Sequence, residues 1–151
     1  MGHHTPSEAI AALIYRYAER IDAGDFAGVA DIFADATLTF EGFGDAVIGR
    51  DAVQSLYERT TRRYEDGTPR TKHLMTNVMV DVAGDGTTGT SRSSFTVLQA
   101  VAGVLTLQPV IAGRYRNAYS CVEGEWHFTA VHVIIDLYGD LGHHMLFDLA
   151  P

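Results

Sequence analysis

The side chains best suited to move a proton are Asp22 and His73. Asp22 falls in the last turn of a predicted helix, just before Gly24, where the negative end of the helix dipole disfavours a carboxylate by roughly a few tenths of a kcal/mol. At about 100° per residue it shares a side with Ala11, Tyr15 and Ala18, flanking an Ile/Leu stripe and away from the water-facing side. His73 lies in a strand-like run, and alternation puts His73, Met75, Asn77 and Met79 on one soft, apolar face. A carboxylate beside an imidazole fixes its tautomer and stabilises its cation, which makes a general base. Spacing alone is met as well by a solvated or turn-capping Asp and by a hydrogen-bonded core or interface His.

Five further polar side chains belong near such a pair: Tyr15, Tyr17, Tyr115, Asn77 and Ser93. A tyrosine hydroxyl can donate to an enolate or a departing oxygen, and helix geometry favours Tyr15 for that role. Tyr17 lies on the Ile/Leu stripe and reads as core or pocket, and Tyr115 reads equally well as pocket wall. Met75, Phe95 and Val131 complete the expected apolar lining of the substrate pocket. His132 alternates away from Val131, which suits an interface or core position. A metal reading of His127, His143 and His144 fails because adjacent histidines on an extended tail point apart and no Cys or HExxH spacing accompanies them. Gly84-Asp85-Gly86 reads as a turn with no helix after it to bind phosphate. No metal and no cofactor are therefore expected.

The elements that position these residues follow from capping and periodicity. Thr5-Pro6-Ser7-Glu8 carries an N-cap, a proline at the first helical position and a capping-box glutamate, and Ile10, Leu13, Ile14, Tyr17 and Ile21 keep helical spacing to a stop at Gly24. Asp25 caps a second helix through Phe33, Thr37 to Phe40 reads as a strand, and Gly49-Arg50-Asp51 opens a third helix that Gly67 and Pro69 end. Four long strands follow, about 71–82, 87–100, 106–121 and 126–138, separated by turns short enough for antiparallel hairpins. Trp126, Phe128, Ala130 and Ile134 alternate with Val131, Val133, Ile135 and Leu137, so both faces of the last strand read as covered. Helices can cover one face; a second copy of the chain, giving a homodimer or higher homo-oligomer, is the economical cover for the other, and a C-terminal segment folding back would serve as well.

At 151 residues with 46% hydrophobic and 20% charged residues, the chain has the composition of one folded domain. We place that domain at 5–142, with terminal segments 1–4 and 143–151; His3 and His4, which an added tag could equally supply, carry no weight. A net charge of -8 argues against nucleic acid and anionic membrane partners. Cys121 is the sole cysteine, no apolar run could span a bilayer and the N-terminus has no signal-peptide core, so a cytoplasmic location is expected.

Several stretches carry a family resemblance. Tyr15 to Phe26, Asp31 to Ala36, Gly49 to Val53, Thr71-Lys72-His73, Gly124 to Phe128 and Asp136 to Leu141 resemble the SnoaL-like, nuclear transport factor two-like superfamily along nearly the whole chain. The resemblance implies an α+β fold in which three N-terminal helices pack on a curved, mainly antiparallel sheet, a cone with an internal pocket. Asp22 and His73 match the dyad positions of the branch containing scytalone dehydratase and hexachlorocyclohexane dehydrochlorinase, which implies that Asp22 orients His73 and His73 takes a proton from carbon. Other helpers differ. Ile21 stands where the dehydratase has a Tyr; Val97, Gly113 and Tyr115 stand where its strands present His, Ser and Asn; and Val131 replaces an Arg of the dehydrochlorinase.

The expected activity is a cofactor-independent lyase, dehydratase-like, or an isomerase. Its substrate is a small hydrophobic molecule, cyclic or polyketide-like. The alternative is a non-catalytic small-ligand binder or an assembly protein resembling the β subunit of ring-hydroxylating dioxygenases.

Overall fold

The computed structural model describes residues 3–149, so Met1, Gly2, Ala150 and Pro151, the outer ends of the two terminal segments, lie outside the described residues. Helix α1 (Pro6–Asp22) begins where its capping signals place it: the Thr5 side chain accepts the Glu8 N–H, and the Glu8 carboxylate accepts the Thr5 N–H at 2.7 Å. Ile10, Ile14, Tyr17 and Ile21 form its buried stripe. Helix α2 (Phe26–Ile32) is capped by Asp25, whose carboxylate accepts the Gly28 N–H at 2.9 Å. Strands β1 (Thr37–Phe40) and β2 (Phe43–Ile48) precede α3 (Arg50–Thr60), and β3 (Thr71–Val82), β4 (Thr88–Val101), β5 (Leu105–Val122) and β6 (Glu125–Tyr138) complete the chain.

The strands make one six-stranded sheet in the order β2-β1-β6-β5-β4-β3, antiparallel except where β1 runs parallel to β6. Three helices packed on this mixed, curved, open sheet give the expected α+β class, with the core between α1, α2 and the inner face of β4 to β6. The β5–β6 hairpin turns on Glu123 and Gly124, both at positive φ, as a two-residue turn of the favoured twist requires. Strand β2 has no counterpart in the sequence reading: it is an edge strand exposed along nearly its whole length and shows no hydrophobic alternation.

Two bulges correct the face assignments. Between Thr76 and Met79 the β3–β4 register slips, with Asn77 at φ 52, so the inner set of β3 reads His73, Met75, then Val78, Val80 and Val82. Asn77 and Met79 are thereby exposed. In β6, Ala130 pairs with Ala118 while Phe128 pairs with Tyr119, which makes Thr129 the extra residue. Trp126 and Phe128 therefore share the inner face with Val131, Val133 and Ile135, whose partners are the inner residues Cys121, Tyr119, Asn117, Tyr115 and Gly113. The outer face of β6 carries Ala130, His132 and Ile134, opposite Ala118, Arg116 and Arg114. The two hydrophobic sets of β6 fall largely on one side, so this strand gives no argument for a covering partner. No helix among the described residues is long and apolar enough to cross a membrane.

Candidate active site

Asp22 and His73 meet. Asp22 is the last residue of α1 and His73 the third of β3, and the loop 61–70 brings the start of β3 under the end of α1. The Asp22 carboxylate accepts three bonds: from the Thr71 hydroxyl at 2.9 Å, from the His73 backbone N–H at 2.8 Å and from the His73 ring at Nδ1, 2.6 Å away. Little of either side chain is exposed, 6% for His73 and 12% for Asp22. Burial alone would raise the Asp22 carboxyl, but the bonds and charge from His73 and the bond from Thr71 outweigh it and hold the group below the usual carboxylate range. An ionised carboxylate only accepts, so Nδ1 carries the hydrogen and Nε2 is left with a free lone pair. That tautomer is the one a general base needs.

His73 lines a cavity of about 300 Å³ between the helices and the inner sheet face. Ile21, Phe95, Val97, Ile111, Val133 and Ile135 make its lining mainly aliphatic and aromatic. Polar side chains in the lining include Asp45, Arg59, Thr60 and Thr61 as well as a group of tyrosines. The Tyr17 and Tyr115 hydroxyls lie 3.2 Å apart, hydrogen-bonded, and Tyr57 adds its hydroxyl to the same cluster. The Tyr17 ring stands edge-on to His73 with centroids 6.0 Å apart. Burial keeps all three phenols protonated, pushing Tyr57 up to about 12 and Tyr17 and Tyr115 further. The same cavity thus presents tyrosine hydroxyls and the His73 imidazole to whatever occupies it.

The other predicted site residues divide. Tyr17, Phe95 and Tyr115 line the large cavity, and Met75 and Val131 line a separate space of about 10 Å³ beneath α1 with Ile14 and Asn117. Ser93 is buried beside Tyr115 in the β4–β5 register but lines neither space. Tyr15 is 48% exposed and Asn77 is exposed, so neither reaches the dyad. For Tyr15 the reason is angular, since Tyr17, on the buried stripe, takes the inward position; for Asn77 it is the bulge. Outward-facing His132 bonds Thr39 at 2.7 Å through Nδ1. Sequence reasoning missed Tyr57, the wall contributed by Phe43 and Val47 of β2, and His144, whose ring lines the cavity from the segment after β6. Leu56 and Tyr57 are neighbours on α3 and both line the cavity, and nothing in the sequence pattern marks either as facing a hollow. Among the described residues no three His, Cys, Asp or Glu side chains gather as metal ligands do.

A helix-covered curved sheet enclosing a mainly apolar cavity, with a small number of polar side chains in its wall, defines a small-molecule-pocket class of α+β domain. Residues 5–132 match the model of the SnoaL-like domain, and the chain belongs to that family. No curated protein matches the sequence. Among solved structures it is similar to an Asp-to-Asn variant of Rv3472, a protein of unknown function from Mycobacterium tuberculosis, with 26% identity, TM-score 0.68 and coverage of 85% of this chain and 70% of that one. An NTF2-like protein with a cystatin-like fold from Novosphingobium aromaticivorans shares the fold at 22% identity and TM-score 0.69, over 85% of this chain and 80% of its own. So does a protein provisionally named a scytalone dehydratase from the same organism, at 20% identity and TM-score 0.68, over 87% of this chain and 85% of its own.

Proposed function

We propose that the protein is a lyase or isomerase that removes a proton from a carbon next to a carbonyl in a small, largely apolar, cyclic substrate, without a metal or cofactor. The single observation carrying this reading is the 2.6 Å bond from His73 Nδ1 to Asp22, which leaves Nε2 free beside an apolar cavity. His73 takes the proton at Nε2, and Asp22 stabilises the imidazolium that forms. The substrate carbonyl faces the Tyr17–Tyr115 pair, in which one hydroxyl donates to the other and the second donates to the oxygen as it gains enolate charge, a contribution that grows in a water-poor site. Family membership and the provisional dehydratase name of one structural neighbour agree with this class.

The test separates proton abstraction from any later step. In D₂O, 1-tetralone, a bicyclic ketone with no leaving group, exchanges its C2 hydrogens only if a base takes them, and NMR follows the loss of signal. Wild-type protein should accelerate exchange well above buffer, and His73→Ala should lower it by about 10²- to 10⁴-fold with the fold intact. Binding of the ketone without exchange would replace this reading with the non-catalytic ligand binder.

A further inference from the structure

The dyad depends on where β3 begins, and one buried amide holds that point. Gln99 lies in β4 directly opposite Thr71 in the β3–β4 register and is fully buried. Its Nε2 donates to the Pro69 carbonyl at 3.1 Å and to the His143 carbonyl at 2.9 Å. Both partners can only accept, so the NH₂ end of the amide faces them. The other end, Oε1, is buried with no partner among the described residues. An apolar side chain would fill the same space without leaving that oxygen unpaired, so packing alone does not account for an amide here. What the amide fastens is the loop 61–70, immediately before the dyad strand.

Arg70 stands between Pro69 and Thr71 at φ 56. A residue with a side chain is strained in that left-handed region and persists there only where its surroundings over-determine it. Three bonds do so. The Gln99 amide holds the carbonyl before it, the Thr68 hydroxyl accepts the Arg70 N–H at 3.2 Å, and the Ala100 N–H donates to the Arg70 carbonyl at 3.3 Å. The Thr68 bond is local and moves with the loop, and the Ala100 bond is long. The Gln99 bonds alone come from a side chain anchored in the core. If Arg70 relaxes to negative φ, the chain turns just before Thr71, and the Thr71 hydroxyl and both His73 donors move away from the Asp22 carboxylate.

We infer that Gln99 is a positioning residue for the dyad: by fixing the Pro69 carbonyl it holds Arg70 in its left-handed turn and so sets the bonds from Thr71 and His73 to Asp22. Gln99 does not line the cavity, so it acts through the loop and touches no ligand. Its effect on rate rests on the proton abstraction proposed above, whereas its effect on the His73–Asp22 bond rests on geometry alone. The same amide ties the loop to the segment after β6, where Met145 lines the cavity, so one side chain sets both the start of the dyad strand and part of the wall.

The experiment reads the dyad bond and the rate separately, on the full chain. With ¹⁵N-labelled histidine, the His73 Nδ1 proton in its 2.6 Å bond should give a low-field ¹H signal in the wild type, and Gln99→Met should move it upfield or abolish it. Deuterium exchange of 1-tetralone should fall by about 100-fold in the same variant, the scale of a misplacement of about 1 Å. Glycine adopts the left-handed turn freely, so in an Arg70→Gly background the fall caused by Gln99→Met should shrink to about tenfold or less. A merely structural Gln99 would lower stability without this dependence on Arg70. Should Gln99→Met fail to fold, Gln99→Asn, one carbon shorter and still an amide, is read in the same ways. An unmoved Nδ1 signal, exchange per folded molecule within about threefold of wild type, or an equal fall in both backgrounds overturns the inference and leaves the proposed function standing. Absence of exchange in the wild type removes the proposed function, and the Nδ1 signal then decides the positioning role by itself.

Discussion

Asp22 grips His73 twice, taking the ring Nδ1 at 2.6 Å and the backbone N–H of the same residue at 2.8 Å. One carboxylate therefore fixes both where the strand lies and how its imidazole is turned. Few placements allow this, because the acid must be at a helix end and the base near a strand start. The unfavourable dipole position of Asp22 is offset by three accepted bonds, each contributing roughly 1–3 kcal/mol when charged.

Asp22→Asn should cost far more in catalysis than in folding. The amide can turn its NH₂ toward Nδ1, so the hydrogen moves to Nε2 and the free lone pair faces the wrong way. We expect ketone exchange to fall by about 10²- to 10⁴-fold, with a stability loss of roughly 1–3 kcal/mol in denaturant titration. Exchange within a factor of three of wild type would remove Asp22 from the mechanism.

The tyrosines give a contrast in one helix. Tyr17→Phe and Tyr115→Phe each remove one donor from the hydroxyl pair and should slow exchange by about 10- to 100-fold, leaving packing nearly intact. Tyr15→Phe, two residues away and 48% exposed, should change neither rate nor stability measurably. A large effect at Tyr15 with none at Tyr17 would reverse the inside and outside of α1.

Much of this arrangement was legible in the sequence because its signals are local. Thr5, Glu8 and Asp25 write their caps into adjacent residues, and β3 spans the same 71–82 that the alternation predicts. The dyad itself was readable as two residues on inward faces, although only the fold brings them to 2.6 Å. What could not be read were events of a single residue. Asn77 adopts φ 52 and inverts the rest of β3, and Thr129 inverts part of β6, with no compositional mark beyond an Asn that tolerates that conformation. Strand β2 and the segment carrying His144 have no periodicity of their own: β2 is placed by its hairpin pairing with β1, and the His144 segment by long-range bonds to residues 60–62 and Gln99.

His144 should leave a signature in acid. Its folded value of about 4 lies below the ordinary histidine value of 6.5, so between these the unfolded chain binds a proton that the folded chain does not. The contribution is fully present above pH 6.5 and is lost as pH falls toward 4, amounting to roughly 3 kcal/mol by the end. His73 and Asp22 are the groups acting on it, and Asp22 itself, depressed by its bonds, keeps its contribution until the pH falls through its lowered value. Denaturant titrations at pH 7.5 and pH 4.5 should therefore show a steeper loss in wild type than in His144→Leu. Equal losses would mean that the ring is not kept neutral.

A pair of glycines tests how the end of α1 is held under the dyad. Gly24 and Gly67 share positive φ values of 71 and 80, so alanine is strained at either by about 1 kcal/mol. Their surroundings differ. A Cβ on Gly67 would meet nothing within 4 Å, whereas one on Gly24 would lie 2.0 Å from the Gly67 carbonyl oxygen. That oxygen is backbone, so the loop 61–70 has to move, and Arg63, which donates to the Gly24 carbonyl at 3.3 Å, moves with it. Gly67→Ala should then lose only about 1 kcal/mol with exchange activity retained. Gly24→Ala should lose at least twice that and slow exchange, because Asp22 is two residues away and the same loop leads into Thr71 and His73. Equal stability losses in the two variants would show that the close approach of Gly24 to the loop does not help to hold the carboxylate in place.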